Sequence, residues 1–309
     1  MAPKPQPITA TTRYAAVYGH PVKHSASPAM HNAAMAEMGL NWRYLAFDVD
    51  PADLRAAIAG ARQMKFIGLN LTVPHKLLAI DMMDELDPSA ETYGAVNTVL
   101  FEGRTQSGDW APLRSCDPGE VRETRSRGFN TDAFGITRSL REDLGMKVHD
   151  TVLVLGAGGA ARAAILRLAG DCVRELYLVN RTLAKAEQIG REIRARFPGI
   201  EVRLGYPANR VDLVLNATSL GLKPSDPLPY DPAQFSFKNC GAAYDMIYQP
   251  VETPFLKEAA GVGCRIANGL GMLLYQGAKA LEIWAGVPAP VEVMRRALKE
   301  HIYGENKTA

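Results

Sequence analysis

A glycine-rich turn stands halfway along this chain, and it constrains the fold more than any other feature. Thr151-Val152-Leu153-Val154-Leu155 is a short run of β-branched and aliphatic residues, and Gly156-Ala157-Gly158-Gly159-Ala160-Ala161 follows at once. A helical stretch over 162–168 then closes at Gly170. Strand, tight turn and helix in that order are the setting in which a GxGxxG/A pattern holds a dinucleotide. Gly156 permits the turn, and Gly158 lets the backbone approach a pyrophosphate. Ala161 lets the helix lie close on its sheet, with the N-terminal N–H groups aimed at phosphate. Because the pattern begins after residue 150, another folding unit precedes it.

The next apolar run, 176–179, ends in Asn180-Arg181-Thr182. A site for NAD carries Asp or Glu at this point to accept from the adenosine ribose, whereas an arginine suits a 2′-phosphate. Arg181 offers a bidentate, charge-assisted contact, and Lys185 is a second cation one helical turn further on. Asn180 and Thr182 add neutral donors. The pattern therefore favours NADP as cofactor.

At 309 residues and 47% apolar content, the chain can fill two cores. Its 35 basic and 33 acidic residues leave a net charge of +2, which gives no electrostatic case for nucleic acid or a membrane surface. Cys116, Cys172, Cys240 and Cys264 are scattered, with no metal-ligand spacing, as expected of thiols in a reducing compartment. The first 12 residues are rich in Pro and Thr and have no hydrophobic signal core, which predicts a disordered leader and a cytoplasmic protein. No internal repeat is evident.

The first half alternates strands and helices of its own. Strands are expected over 14–18, 42–49, 66–72 and 96–101. One helix has Ser27 as its N-cap, Pro28 at its first position and Gly39 beyond its last turn. A second helix spans 53–61, and a third opens at Pro74 and runs towards Leu86. The alternation predicts a mostly parallel sheet covered on both faces. In the second half, a helix over 133–144 stops at Gly145, and strands are expected over 152–155, 176–179, 211–215 and 242–247. A helix over 270–284 and a last one carrying Val291, Met294, Ala297, Leu298 and Ile302 should return to the first domain. The expected division is 13–131 with 272–309 for substrate binding and catalysis, and 132–271 for a Rossmann-type NADP-binding domain. The chemistry would lie in the cleft between them.

Polar residues gather at the carboxyl ends of the first-half strands, where open α/β sheets bind ligands. Ser25 and Ser27, beside a helix start, make a carboxylate cradle, although Ser27 alone could simply cap the helix. Asn70 and Thr72 share one face of a strand. Lys76 falls in the first turn of a helix, where a cation opposes the helix dipole and lacks a structural motive. Asn97 closes Gly94-Ala95-Val96-Asn97. Asp132 follows Asn130-Thr131 near a helix start, where an N-cap is the plain alternative.

Taken together, the segments GHPVKHSASPAMHN (19–32), NLTVPHK (70–76), GAVNT (94–98), GFNTD (128–132), GAGGAA (156–161), NRT (180–182), NATSLG (216–221), DMIYQP (245–250) and NGLGMLLYQGA (268–278) resemble the shikimate dehydrogenase family. They occur in family order and cover nearly the whole chain from Tyr14 onward. The resemblance implies NADPH-dependent, reversible reduction of 3-dehydroshikimate to shikimate, an oxidoreductase step of aromatic amino-acid biosynthesis. It also implies that Ser25 and Ser27 hold the substrate carboxylate and that Asn70, Thr72, Asn97 and Gln276 contact its hydroxyls. By the same resemblance, Lys76 and Asp132 form the catalytic pair and Tyr248 closes over the substrate. Gly156, Ala157, Gly158, Gly159, Ala160, Asn180, Arg181, Thr182, Lys185, Thr218, Met246, Gly269 and Met272 would lie along the cofactor. Partners would be small molecules only, with the chain a monomer or homodimer.

The chain departs from the family over 102–127, where a long polar stretch replaces a short hairpin turn and reads as a surface excursion or mobile flap. His24 and His75 lie near the site without metal spacing. In the implied reaction a ketone gains a hydride and a proton. A lysine, an ammonium at neutral pH, can donate that proton or stabilise the alkoxide, and Asp132 would orient it. Which of the two moves the proton is left open by the sequence. A quinate dehydrogenase using NAD is disfavoured by Arg181 and the serine pair. A methylenetetrahydrofolate dehydrogenase, related in plan, lacks this motif set, and a non-catalytic NADPH-binding regulator has no use for both Lys76 and Asp132.

Overall fold

In a computed structural model describing residues 7–146, 151–170 and 173–304, the chain divides into two units, Met1–Phe134 with Gln276–Ala309, and Gly135–Tyr275. The divisions fall inside two helices, α5 (Asp132–Leu144) and α9 (Leu270–Ala285). No described helix is long and apolar enough to cross a membrane.

The first unit is built on β1 (Arg13–Gly19), β2 (Trp42–Asp48), β3 (Gly68–Leu71), β4 (Glu85–Leu86), β5 (Thr98–Arg104), β6 (Trp110–Pro112) and β7 (Thr124–Phe129). Their order is β2-β1-β3-β5-β7-β4, with β6 on β5. β1 pairs in parallel with β2 and β3, and β4 with β7, but β5 is antiparallel to β3, β6 and β7. The sheet is thus mixed, because no crossover helix separates β5, β6 and β7: β5 turns back directly into β6, and residues 113–123 lead on to β7 on the other side of β5. Helices α1 (Ser27–Glu37), α2 (Leu54–Gln63), α3 (His75–Leu78), α4 (Pro88–Tyr93) and α10 (Val291–Tyr303) surround it, with α10 lying against α1. Gly68 has no room for a Cβ, because the Trp284 indole crosses it to donate to the Val99 carbonyl at 3.0 Å.

Four expectations change here. Residues 1–6 lie outside the described ones, but the leader expected through residue 12 already forms a turn at 9–12. There Thr12 is buried and donates to Asn41 Oδ1 at 2.9 Å. The helix expected from Pro74 towards Leu86 is only the single turn of α3, followed by a 3₁₀ turn at Ile80–Met82 and by β4. Backbone pairing of Glu85 and Leu86 with Arg127 and Gly128 wins over helix propensity. Ser27 is not an N-cap: Ala26 occupies that position, and no side chain caps α1. The polar stretch expected as a flap instead extends β5 and β7 and adds β6, anchored by the fully buried Leu113 and by Arg125 stacked 4.9 Å over Trp110.

The second unit is a parallel six-stranded sheet, in the order β10 (Glu201–Leu204), β9 (Glu175–Val179), β8 (Thr151–Leu155), β11 (Val211–Asn216), β12 (Cys240–Asp245), β13 (Arg265–Asn268). This is the doubly wound order, in which the chain runs one way from β8 and then returns to the other side of it at β11. The crevice for a ligand lies at the carboxyl ends of β8 and β11. Helices α6 (Gly159–Gly170), α7 (Leu183–Arg196) and α8 (Pro254–Gly261) complete this unit together with most of α5. The two edge strands are only 4 residues each and carry largely exposed or half-buried side chains, so no clear alternation marks them in the sequence.

Candidate active site

The topology of the first sheet assembles one polar cluster. Because β5 runs antiparallel to both β3 and β7, the carboxyl ends of β3 and β7 meet the beginning of β5 at one edge, where Thr98 stands opposite both Asn70 and Phe129. Lys76 follows β3, Asn97 precedes β5 and Asp132 follows β7. The Lys76 ammonium lies 2.7 Å from Asp132 Oδ2, with the two side chains 30% and 12% exposed. Asn97 Nδ2 donates to the other carboxylate oxygen, Asp132 Oδ1, at 2.9 Å, and to Thr131 Oγ1 at 3.0 Å, with Gln276 Oε1 at 3.5 Å. Asn97 Oδ1 accepts from the Thr131 N–H at 2.8 Å and from the Thr98 hydroxyl at 3.1 Å, which sets the orientation of its buried amide.

Asp132 does not act as a helix cap. Asn130 Oδ1 accepts from the N–H groups of Asp132 and Ala133 at 3.1 and 3.4 Å, and this leaves both Asp132 oxygens for Lys76 and Asn97. With α3 reduced to one turn, no extended helix dipole acts on Lys76, so the dipole conflict expected from sequence disappears. The ion pair takes its place as the reason for a lysine there.

At the start of α1 Ser25 Oγ accepts from the Ser27 N–H at 3.4 Å, and Ser27 itself is buried. Tyr44 donates to Asn70 Oδ1 at 2.7 Å. Thr72 is half-buried, with no partner for its hydroxyl among the described residues. His24 is exposed and His75 buried, and no group of three or more described His, Cys, Asp or Glu side chains could hold a metal ion. Tyr248 belongs to the second unit, just beyond β12, where burial raises its phenol pKa.

In the second unit the glycine-rich turn lies between β8 and α6. Gly156 has φ +112°, and a Cβ there would sit 2.9 Å from the Ala217 carbonyl, so both conformation and packing require glycine. At Gly158 and Gly159, both exposed, a Cβ would meet nothing within 4 Å. The protein's own packing thus does not demand glycine at these two positions, and the open space beside the start of α6 fits a pyrophosphate. Ala157 is half-buried, and the side chain of Ala160 lies outside the described ones. Asn180 Nδ2 donates to the Thr182 carbonyl at 2.8 Å and so shapes the turn after β9. Arg181, Thr182 and Lys185 are exposed around it, and neither cation has an ion-pair partner among the described residues, unlike Arg162, which Glu192 holds at 2.6 Å.

Sequence reasoning missed the support beneath Thr218. Asn216 and Asp245 stand in register at the ends of β11 and β12, both fully buried. Asn216 Nδ2 donates to Asp245 Oδ1 at 3.1 Å, and Asn216 Oδ1 accepts from the N–H and hydroxyl of Thr218 at 3.1 and 2.7 Å. Asp245 also accepts from Thr253 at 2.6 Å and from the Ile247 N–H at 3.0 Å. The available signal was a polar residue closing each apolar strand. Gly269 lies directly on the Met246 backbone, and Met246 and Met272 are half-buried.

Comparison with known proteins gives matches along the chain. The model of the shikimate dehydrogenase substrate-binding domain matches residues 17–99, that of shikimate/quinate 5-dehydrogenase 140–220, and that of the shikimate 5′-dehydrogenase C-terminal domain 269–299. A shikimate dehydrogenase (NADP(+)) of Moorella thermoacetica is 44% identical over 306 residues, covering 95% of each chain. That of Methanopyrus kandleri is 40% identical over 304 residues, covering 96% of this chain and 98% of its own. A crystal structure of a shikimate dehydrogenase in complex with NADP+ superposes with a TM-score of 0.82 at 35% identity, over 97% of this chain and 99% of that one.

Proposed function

The chain belongs to the shikimate dehydrogenase family, and from that premise we propose that it catalyses the reversible, NADPH-dependent reduction of 3-dehydroshikimate to shikimate in aromatic amino-acid biosynthesis. The observation that carries this reading is the Lys76–Asp132 pair at 2.7 Å, locked from its far side by Asn97. Reduced NADP, when bound, supplies the hydride that converts the ketone to an alcohol. The protein must supply the proton and stabilise the negative charge as it forms on the ketone oxygen. Lys76 does this as an ammonium donor, and Asp132 fixes the direction of its N–H bonds. Ser25 and Ser27 take the substrate carboxylate with hydroxyl donors. Asn70, Thr72, Asn97 and Gln276 form the hydroxyl-recognising wall, and Tyr248 covers the substrate.

Asn97 also donates to Asp132 Oδ1 and Thr131 Oγ1, and so holds the Asp132 carboxylate in place. For the cofactor, Gly156, Ala157, Gly158, Gly159 and Ala160 form the pyrophosphate turn. Asn180, Arg181, Thr182 and Lys185 form the 2′-phosphate pocket, with both cations free to pair. Thr218, Met246, Gly269 and Met272 line the remainder. In this reading residues 13–131 and 272–309 handle the substrate and 132–271 the cofactor. We place the protein in the cytoplasm as a monomer or homodimer acting on small molecules, a reading supported by its balanced charge and three free described thiols. The test is turnover of shikimate and of quinate, each with NADP and with NAD. The shikimate–NADP combination should dominate, and no turnover of shikimate would overturn the assignment.

A further inference from the structure

We propose that Tyr44 is a positioning residue that fixes the amide of Asn70 at the hydroxyl end of the substrate site, a role that rests on the substrate reading above. Tyr44 lies in β2 and is 1% exposed. Its hydroxyl donates to Asn70 Oδ1 at 2.7 Å. One buried phenol therefore sets the orientation of the asparagine assigned to the substrate hydroxyls.

The amide of Asn70 is committed by this arrangement. Its Nδ2 spends both protons inside the protein, on the Asn97 carbonyl at 3.1 Å and Thr98 Oγ1 at 3.0 Å. Oδ1 holds the Tyr44 proton on one lone pair and has one left. Asn70 thus meets a ligand only as an acceptor, and a substrate oxygen at that point must carry a proton. A hydroxyl is admitted there, whereas a keto or ether oxygen is rejected. Burial pushes the Tyr44 phenol well above its ordinary pKa, so it stays a donor. The ring is clamped by His31, stacked at 4.2 Å and 11°, and by Trp284 at 6.1 Å. Burial pushes the His31 imidazole down to about 3, and neither ring nitrogen has a partner among the described residues, so it serves as a neutral wall.

Tyr44→Phe keeps the ring, the stack and the burial, and removes one oxygen. The Michaelis constant for shikimate should rise about tenfold, the effect of one lost hydrogen bond at a charged or committed group, while kcat stays within about twofold. The dissociation constant for NADP should not change. Tyr44→Phe should add nothing in an Asn70→Ala background. An unchanged Michaelis constant, full additivity of Tyr44→Phe with Asn70→Ala, or a parallel fall of kcat and unfolding midpoint would each overturn the role. Failure of the unsubstituted enzyme to turn over shikimate strikes the functional reading itself, and this role with it.

Discussion

The Lys76 ammonium and the Asp132 carboxylate lie 2.7 Å apart although 56 residues separate them in the chain. Asn97 approaches the same carboxylate from its other oxygen at 2.9 Å. The three residues form one unit held by the edge of a sheet, and its energetics should be those of a unit.

Lys76→Ala should therefore lower kcat by about two decades or more and change the Michaelis constant little, because the ground-state ketone is neutral and the charge appears only in the transition state. Asp132→Asn should impair the same step, and the double variant should be less than additive. Steady-state kinetics with a direct NADP titration checks this. The cofactor should bind all three variants as it binds the parent, and a normal kcat in Lys76→Ala would refute the mechanism.

Arg181→Ala should raise the Michaelis constant for NADP by about one to two decades and leave that for NAD nearly unchanged, since one charge-assisted contact to the 2′-phosphate is lost. Lys185→Ala should act in the same direction. Equal efficiency of the parent with both cofactors would rule out this account of the two cations.

Ser27→Ala is a cleaner test of carboxylate binding than its position at a helix start suggests, because Ser27 makes no capping bond. It should raise the Michaelis constant for shikimate about tenfold with an unchanged unfolding midpoint. Ser25→Ala should raise it similarly, while also removing the acceptor of the Ser27 N–H. If either variant keeps parental substrate kinetics, that hydroxyl is not on the carboxylate.

The buried His31 sets a pH dependence of stability. Its pKa is lowered from 6.5 to about 3 by burial, so the folded state holds it neutral where the unfolded chain takes up a proton. The stability this contributes is fully present above pH 6.5 and is lost as pH falls through the window between those two values. The expected slope is about 1.4 kcal/mol per pH unit from this single group. Urea unfolding at a series of pH values should show the slope in the parent and its loss in His31→Phe. An imidazole titrating near its ordinary value in the folded protein would contradict the burial argument.

Much of the fold was legible in short stretches of sequence because its causes are local. The run of five apolar residues before Gly156, the stops at Gly39 and Gly145, and the proline at the start of α1 all act through backbone dihedrals and side-chain period within a few residues. The free cations after β9 were equally readable, since nothing distant pairs with them among the described residues. Local signals failed where a partner from elsewhere in the chain competed. The helical stretch after Pro74 stops short and ends in β4 because β7 offers Glu85 and Leu86 backbone partners, and the polar stretch after Phe101 was held by Trp110 and Leu113.

By itself, then, the sequence determined that the chain carries a dinucleotide turn with a cationic pocket beside it, and it named the polar residues at the strand ends. Only the tertiary structure decided what those residues do to one another. Lys76 pairs with Asp132, Asn97 takes the other oxygen of that carboxylate, and Tyr44 commits the amide of Asn70. Each joins residues far apart in the chain, the first two because β5 lies antiparallel between β3 and β7, the third because β2 and β3 both pair with β1. Hydrogen bonds of this kind are set by strand order and register, and neither is encoded within any single stretch of the chain.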